Sequence, residues 1–574
     1  MNPLTIISAD PVDYVIIAVY FVFVLGIGWM ASRGVSDSVD FFLSGRSLPA
    51  WVTGLAFISA NLGAVEIMGM SANGAQYGLP AVHYFWIGAI PAMLFLGVVM
   101  MPFYYGSKVR SVPEFMLRRF GPGAHLVNLT LFAVAQLLIA GINLYLLGSI
   151  VHALLGWSLW IAILVAAAIV LCYITLGGLR AAIYNEVLQF FVIVAALTPL
   201  TWLGLHRVGG WSGLSAKIHA ASAANHGGPT ASGQLNSWPG NDLTTFHSDF
   251  WSVVAIVFGL GFVLSFGYWT TNFVEVQRAM AAESITAARK TPIIGAFPKI
   301  FFPFITIFPG MIAAVLAIEI AKAKAGQTVP GGAGGVVKYN DALLFLMRDV
   351  LPNGLLGIAI TGLLAAFMAG MAANVSAFNT VLSYDLVEHY VAKDRSDAFY
   401  LRIGRFATVA AVVIAIGTAA IASNFSNIMT YLQNLFGFFN APIFATFILG
   451  MFWRRMTPKA GWIGLVAGTL AAVVVAYLSV DGFGSFSTGT IHLSGQGVSF
   501  VAAGAAFVVD VVLSVVVSLV SEPKPREELV GLVYSETPRE SLVDADAASH
   551  PWYARPAPLA GIALVIVIVL NVLF

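Results

Sequence analysis

The strongest constraint in this sequence is a series of about fourteen apolar stretches, each about 20 residues long or longer. A helix of about 20 apolar residues crosses the ~30 Å hydrocarbon core of a bilayer. The predicted spans are 12–32, 51–72, 80–103, 127–154, 157–176, 182–205, 250–272, 292–319, 354–387, 403–422, 427–453, 460–481, 498–521 and 556–574. We therefore predict an all-α integral membrane protein with about 14 transmembrane helices in a single domain, 1–574.

The composition excludes several classes of protein. Hydrophobic residues make up 59% of the chain and charged residues 10%, whereas soluble domains carry roughly 25% charged residues. A soluble enzyme, a disordered protein and a nucleic-acid binder are therefore excluded. The lone Cys172 cannot form an intrachain disulfide and supplies no cluster of metal ligands.

The basic residues predict the orientation in the membrane. Of the 28 Lys and Arg residues, 21 fall in one set of alternating loops, 6 fall in the opposite set, and Lys299 lies inside a span. Cytoplasmic loops carry the excess of basic residues. We therefore predict a multi-pass protein of the plasma (inner) membrane with both termini outside.

Two of the spans contain polar and glycine residues at mid-membrane depth. The second reads FISANLGAVEIMGMSANG and the seventh reads GLGFVLSFGYWTTN. Glycine and hydroxyl residues loosen a helix, so both spans are candidates for interruption, although small residues also allow simple close packing. Because interrupted helices in corresponding positions are typical of transporters with inverted repeats, we predict five-helix repeats over 51–205 and 250–453. The peripheral helices are then 12–32, 460–481, 498–521 and 556–574.

Four of the charged residues inside the predicted spans are singled out here. A carboxylate facing lipid costs roughly 2.5 kcal/mol or more, so Glu66 is expected to face a cavity, a partner or a proton. Lys299 can extend to the inner surface or reach the cavity. Glu186 is either an interfacial anchor paired with Arg180 or part of a cation pathway. Asp510, which lies outside the repeats, is interpreted as structural.

Two segments between spans have an amphipathic, basic pattern. They are VPEFMLRRF at 112–120 and QRAMAAESITAARK at 277–290. We interpret both as cytoplasmic surface helices that serve packing and orientation.

Several motifs resemble those of one transporter family. The strings are SANLGAVEIMGMSANGAQYGL, SVPEFMLRRF, GGLRAAIYNEVLQFF, YWTTNFVEVQRAMAAES, AFNTVLSYDLVEHY and ILGMFWRRMTPKAGWIG. These strings are similar to motifs of the solute:sodium symporter family, the group that contains the sodium/glucose cotransporters. They occur in the same order, and the resemblance extends from about residue 10 to residue 520. The resemblance implies a leucine-transporter-like inverted repeat and secondary active transport by alternating access.

The resemblance also implies a solute site. Asn61, Lys299 and Gln433 match positions that bind sugar hydroxyls in the sugar transporters, and Tyr268 matches a tyrosine that stacks on the sugar from the inner side. Three positions depart from that pattern. They are Glu66 in place of a glutamine, Ser265 in place of an asparagine and Phe85 in place of a glutamate.

The cation site implied by the resemblance is degenerate. Backbone carbonyls at Ser59, Leu62 and Ala366 match the family, but the two hydroxyl positions are Ala369 and Gly370. A hard cation prefers about six oxygen ligands. Three alternatives follow. Sodium binds differently, through Glu186 or through Ser376 and Thr380; or protons replace it at Glu66 or Glu186; or transport is uncoupled.

The sequence thus predicts a cation-coupled symporter of a small neutral polar solute, with a sugar as the leading hypothesis. Its expected partners are the solute, a monovalent cation (Na⁺ by resemblance, H⁺ as the alternative) and the lipid bilayer, with no nucleic acid and no other cofactor. The alternatives are a proton-coupled or uncoupled sugar transporter, a symporter of an amino acid, an amine or a carboxylate, and a receptor-like protein that does not transport. No pattern of catalytic residues or transition-metal ligands is present, so an enzyme is not expected.

Overall fold

Helices make up all of the regular secondary structure in the part of the chain that the computed structural model describes. This part comprises residues 6–32, 47–107, 112–224, 229–332, 335–480, 487–543 and 551–574. Within these ranges the extended segments form only isolated bridges and no strand. The predicted all-α class is therefore confirmed.

The helices are labelled here in chain order. They are α1 (Pro11–Ser32), α2 (Ala50–Asn61), α3 (Ala64–Tyr77), α4 (Leu79–Tyr105), α5 (Val112–Phe120), α6 (Pro122–Leu155), α7 (Leu159–Val208), α8 (Gly210–Ala224), α9 (Asp249–Thr271), α10 (Phe273–Met280), α11 (Ile285–Leu316), α12 (Ile318–Lys324), α13 (Ala342–Val350), α14 (Leu355–Val391), α15 (Asp397–Ala422), α16 (Ile428–Phe452), α17 (Pro458–Leu478), α18 (Gly495–Val520) and α19 (Pro556–Leu573). Shorter helical turns lie in the polar connections, at Ala231–Leu235, Asn241–Thr244, Tyr339–Asp341, Arg526–Leu529, Tyr534–Glu536, Arg539–Leu542 and Trp552–Ala554.

Eleven helices in the described residues are long and apolar enough to cross a membrane, or up to twelve when one bent pair counts as a span. Two further apolar segments, Pro11–Val24 and Leu159–Leu171, are shorter. Every predicted span overlaps one of these helices, but the count of fourteen stays a prediction. The predicted fifth and sixth spans lie in one continuous helix of 50 residues, α7.

That continuity corrects the boundary expected at the Gly177–Gly178 pair. A glycine costs a helix only about 1 kcal/mol, so such a pair does not force a helix to end. The side chains of 172–182, with Cys172 and Arg180, lie outside the described residues, as do Arg33, Arg46, Lys108 and Arg110 of the orientation argument. The placement of the termini relative to the membrane therefore stays a prediction.

The first predicted interruption is confirmed. Helices α2 and α3 meet at a bend of 54°, and Leu62 and Gly63 between them leave the helical conformation, with ψ angles of 47° and 174°. A Cβ atom on Gly63 would lie only 3.3 Å from the Cα of Gly370. The break is therefore packed against the middle of α14, and a side chain at Gly63 would displace it.

The second interruption lies later in the chain than predicted. Helix α9 continues through its glycines, with residues Ala255–Ser265 in a π-helical conformation. The break occurs at Asn272, whose ψ is 115° and whose side chain accepts a hydrogen bond from Val274 N at 3.1 Å. Helix α10 then begins. The inverted repeat itself stays a prediction, because α2 and α3 form the one strongly bent pair found among the described residues.

The interpretation of 277–290 as a surface helix is wrong. Its first residues belong to α10, in which every residue from Phe273 to Met280 is buried. An amphipathic pattern shows only that one face is polar, and here the polar face meets buried charged partners instead of water. The remaining residues from Ile285 onward begin α11.

Helix α5 forms as predicted at 112–120, but it is not only a surface helix. Arg119 is fully buried and donates hydrogen bonds to the carbonyl oxygens of Gly450 (3.0 Å) and Trp453 (3.2 Å). These carbonyls close the carboxyl end of α16, where a cation is favoured by the helix dipole. Arg119 therefore attaches α5 to a core helix.

Helices α3 and α11 pack with their backbones in contact. A Cβ atom on Gly310 would lie 1.9 Å from the carbonyl oxygen of Ser71, and one on Gly74 would lie 2.2 Å from that of Ile307. Only glycine permits so close an approach. The approach brings Glu66 of α3 and Lys299 of α11 to facing positions at the centre of the bundle.

Candidate functional site

A cavity of about 90 Å³ lies beside the break between α2 and α3. Since a water molecule needs ~10–15 Å³ by this measure, the cavity suits a small solute. Its wall is formed by α2, α3, α4, α6, α9, α10, α11, α14 and α16. Six of the seven predicted solute-site residues line it: Asn61, Glu66, Ser265, Tyr268, Lys299 and Gln433.

Lys299 lies at the centre of the polar wall. Its Nζ donates hydrogen bonds to Asn61 Oδ1 and to Glu66 Oε1, the latter at 2.7 Å. Only 1% of the side chain is exposed. Of the two sequence alternatives, reaching the cavity is the correct one, because the ammonium finds a carboxylate there and need not extend to the membrane surface.

Aromatic rings enclose the same ammonium. The Nζ atom lies 5.0 Å from the ring centre of Phe85, 5.2 Å from that of Trp269 and 5.2 Å from that of Phe302. Cations are attracted to ring faces at these distances. Phe85, the seventh predicted residue, is not among the residues that line the cavity. It contacts Lys299 instead of offering a surface to a solute.

The hydrogen bonds continue from Lys299 through Asn61 toward α10. Asn61 Nδ2 donates to the hydroxyl of Tyr268 at 3.0 Å, and that hydroxyl donates to Glu275 Oε1 at 2.8 Å. The Tyr268 ring packs against Phe436, with ring centres 4.6 Å apart. Glu66, Lys299, Asn61, Tyr268 and Glu275 therefore form one continuous chain across five helices, which we call the cavity network.

The two remaining predicted solute residues lie outside this network. Ser265 donates to the carbonyl oxygen of Leu260 in its own helix at 2.8 Å. Gln433 Nε2 contacts the sulfur of Met429 at 3.4 Å, a weak acceptor, and both residues line the cavity. This contact is weak, so the Gln433 amide can exchange it for a hydrogen bond to a solute hydroxyl.

The cation site that the family resemblance implies lacks two of its expected side-chain hydroxyls here. Ser59, Ala366 and Ala369 are fully buried near the break, and Gly370 lines the cavity. Neither Ala369 nor Gly370 can offer a side-chain oxygen. The predicted residues offer backbone carbonyls and the hydroxyl of Ser59, which has no hydrogen-bond partner among the described residues, whereas a hard cation prefers about six oxygens.

The predicted pathway residue Glu186 forms a buried ion pair. Arg278 Nη2 lies 2.7 Å from Glu186 Oε1, and neither side chain is exposed. The guanidinium also donates to the carbonyl oxygen of Val274 (2.9 Å) and to Gln277 Oε1 (3.3 Å). The partner of Glu186 is therefore Arg278. The side chain of Arg180, the partner considered from the sequence, lies outside the described residues.

The other two pathway residues lie close to this pair. Gln277 Nε2 donates to the hydroxyl of Thr380 at 2.9 Å, and that hydroxyl donates to the carbonyl oxygen of Ser376 at 3.0 Å. Glu186 and Thr380, which the sequence suggested separately, are thereby joined through Arg278 and Gln277 of α10. Helix α10 connects the cavity to α7 and α14.

Sequence reasoning missed two functional candidates, Glu275 and Arg278. The orientation argument assigned Arg278 to a loop, but both residues belong to the buried helix α10. The available signal was their position directly after YWTTN, where the second half of an interrupted helix would begin.

The comparisons with known proteins agree with this architecture. Residues 41–468 match the family model described as "Sodium:solute symporter family". The chain is 28% identical over 482 residues to the sodium/glucose cotransporter of Vibrio parahaemolyticus. This alignment covers 82% of this chain and 86% of the relative. It is 29% identical over 487 residues to the sodium/myo-inositol cotransporter 2 of Sus scrofa, with 81% of this chain and 70% of the relative covered.

A solved structure has the same fold. It shows a Na⁺-coupled sialic acid symporter in a substrate-bound, outward-open state, with a TM-score of 0.71 at 16% identity over 90% of this chain and 99% of the other. The family model, the relatives and the many apolar helices identify a multi-pass membrane protein whose relatives are transporters. The family predicted from the motifs is confirmed: this chain belongs to the sodium:solute symporter family.

Proposed function

We propose that the protein is a cation-coupled symporter that takes up a small neutral polar solute, specifically a sugar or polyol, by alternating access. The observation that carries the proposal is the pairing of Lys299 with Glu66 and Asn61 on the wall of a small central cavity. The proposed location of the protein is the plasma membrane, with both termini outside.

The charges of the pair favour a neutral solute. The Glu66 carboxylate and the Lys299 ammonium are 2.7 Å apart and compensate each other. A cationic amine would have to displace Lys299 from Glu66, and an anion would have to displace Glu66 from Lys299. Hydroxyl groups can instead bridge the pair, because they both donate and accept hydrogen bonds.

The rest of the wall suits a polyol as well. The amides of Asn61 and Gln433 offer both donors and acceptors to hydroxyls. The rings of Tyr268, Trp269 and Phe436 offer apolar faces beside them. A sugar or cyclic polyol presents this combination of C–H faces and hydroxyl edges. The named relatives transport glucose or myo-inositol with sodium, which supports the same assignment.

The break between α2 and α3 provides a mechanism for coupling. Solute contacts at Asn61 and Glu66 flank it, and the family's cation position lies at its inner side. Two ligands that bias the same conformational equilibrium are coupled thermodynamically. We propose that bound cation and bound solute both order this break during the cycle.

Uptake of labelled glucose and myo-inositol by proteoliposomes tests the proposal. We expect accumulation of at least one under an inward sodium or proton gradient, a strong reduction in Lys299→Gln, and wild-type uptake in Lys217→Gln, an exposed lysine of α8. The absence of uptake of every hexose, pentose and inositol tried, under either gradient, would overturn it. Normal uptake by Lys299→Gln would remove the proposed site.

A further inference from the structure

Glu275 is the one member of the cavity network that the family resemblance and the comparisons do not assign. It lies on α10 at 0% exposure, directly on the inner side of Tyr268. Its Oε1 accepts the hydrogen bond from Tyr268. Its Oε2 is buried and has no hydrogen-bond partner among the residues that the structure describes. A buried carboxylate oxygen without a donor is costly when the group is ionised.

The cations close to Glu275 are engaged by other carboxylates. Arg278 is paired with Glu186 at 2.7 Å, and Lys299 is paired with Glu66 at 2.7 Å. This part of the described interior therefore holds three carboxylates and two basic groups. One negative charge is left uncompensated, and Glu275 is the carboxylate without an ion-pair partner of its own.

Among the residues that the structure describes, the surroundings of Glu275 supply no further charge. Tyr268 of α9, Arg278 of α10, Lys299 of α11 and Glu186 of α7 face Glu275, and Glu66 is reached only through Lys299. The other packed helices contribute little. Tyr104 of α4 donates to the carbonyl oxygen of Thr270 at 2.8 Å, α2 contains no titratable residue, and α14 contains none before Tyr384.

We propose that Glu275 is the binding site of a coupling proton, held on Oε2 and linked to the solute cavity through the hydroxyl of Tyr268. A hydronium ion donates the proton, so its O–H bond breaks as the O–H bond on Oε2 forms, and the reverse transfer to water releases the proton. Binding it neutralises the uncompensated charge. It thereby supplies the positive charge that the incomplete set at Ala369 and Gly370 no longer holds.

The link to the solute site is the shared tyrosine. With Glu275 ionised, Tyr268 donates to it and accepts from Asn61. A proton on Oε2 makes the carboxyl group neutral, so its Oε1 becomes a weaker acceptor and the phenolic hydrogen of Tyr268 can be given to the solute. Proton binding and solute binding then act on one hydrogen-bond chain, which is the requirement for coupling. This consequence rests on the proposed symport function, whereas the proton site does not.

The proton site can be tested without any solute, by infrared difference spectroscopy of the purified full-length protein during a pH titration. We expect the carbonyl band of a protonated carboxylic acid that Glu275→Gln removes. The matched control is Asp510→Asn. Asp510 is also fully buried, but it accepts hydrogen bonds from Thr446 (2.8 Å) and Ser514 (2.9 Å). This control should keep the Glu275 band. A wild-type spectrum with no band that depends on Glu275 would overturn the proposal.

The coupling is tested in proteoliposomes with myo-inositol as the probe. We expect an inward proton gradient to stimulate wild-type uptake, and Glu275→Gln to abolish this stimulation while retaining exchange. Stimulation of Glu275→Gln equal to that of the wild type would overturn the coupling role. The Glu275 band without uptake of any solute would confirm the proton site and reject the symport proposal. If Glu275→Gln fails to fold, Glu275→Asp serves, because a shorter carboxylate must shift the titration midpoint; an unchanged midpoint would contradict the site.

Discussion

Arg278 and Glu186 form an ion pair between α10 and α7, with 2.7 Å between Nη2 and Oε1 and no exposure of either side chain. Arg278 lies three residues after Glu275, so the same short helix carries the paired cation and the unpaired carboxylate. The pair anchors α10 to α7.

Removing one partner of this pair should destabilise the protein strongly. Glu186→Gln removes the carboxylate that contacts the buried guanidinium, and breaking a buried pair costs about 3–5 kcal/mol. The midpoint of thermal unfolding in detergent should fall well below that of the wild type.

Two further variants provide the controls for that measurement. Glu114→Gln breaks a more exposed pair with Arg118 and should cost less than about 1 kcal/mol. The double variant Glu186→Gln with Arg278→Gln should recover part of the loss, because both charges of the buried pair are removed together. Equal effects of Glu186→Gln and Glu114→Gln would contradict a structural role for the buried pair.

Glu66→Gln should change the charge preference of the cavity. Lys299 then loses its carboxylate partner, so the wall carries an uncompensated positive charge. Binding of a neutral sugar or polyol should weaken about tenfold, equivalent to ~1.4 kcal/mol, and small carboxylates should become inhibitors. Equilibrium binding of labelled myo-inositol or glucose, with competing acids, measures both effects. Unchanged binding of the neutral ligand together with no inhibition by acids would contradict the prediction.

Gly310→Ala should disrupt the contact between α3 and α11. The added methyl carbon would lie 1.9 Å from the carbonyl oxygen of Ser71, and backbone atoms cannot move away as a flexible side chain can. Overpacking of this kind costs about 1–3 kcal/mol. Gly417→Ala on α15 is the matched control, because nothing lies within 4 Å of its added methyl group. It should be neutral or stabilising, and a comparable loss in both variants would refute the packing argument.

Lys324, at the end of α12, should make stability depend on pH. It donates to Gln234 Oε1 at 2.6 Å, and burial lowers its pKa from the ordinary 10.5 to about 8, with Asp242 opposing the shift. Between these values the unfolded chain binds more protons, so the lysine's contribution to the free energy of unfolding rises with pH from about 8 to 10.5. Below a pH of about 8 the folded protein keeps Lys324 protonated, so the full free-energy cost of burying its charge applies.

The measurement is the difference in thermal midpoint between the wild type and Lys324→Met as a function of pH. The thermal midpoint of the wild type should rise relative to that of Lys324→Met as the pH rises from 8 toward 10. A difference that is constant over this range would contradict the buried lysine. Lys217→Met, exposed on α8, serves as the control and should show no such trend.

The local features of the chain could be read from its sequence. Hydropathy located the membrane-crossing helices, the glycine and polar residues around Leu62 and Gly63 predicted the first break, and the isolation of Lys299 among apolar residues marked it as a site. Each of these properties depends on a few neighbouring residues, so a single sequence reports them.

Partners required the tertiary structure. Lys299 and Glu66 are 233 positions apart, and Arg278 and Glu186 are 92 apart. Nothing in either local pattern indicates which carboxylate each base meets. The exact position of the second break, at Asn272, was not predicted. The burial of α10 escaped prediction because an amphipathic helix has one periodicity whether its polar face meets water or buried charge.

The sequence by itself therefore determined the fold class, the family and the candidate residues, because hydrophobicity and motif order are properties of the chain. Only the tertiary structure decided that Phe85 contacts Lys299 instead of lining the cavity, and that Glu275 joins the network with one oxygen unpaired. These outcomes depend on how helices distant in the chain pack together, and a glycine contact such as that of Gly310 with Ser71 sets that packing to within a few tenths of an ångström.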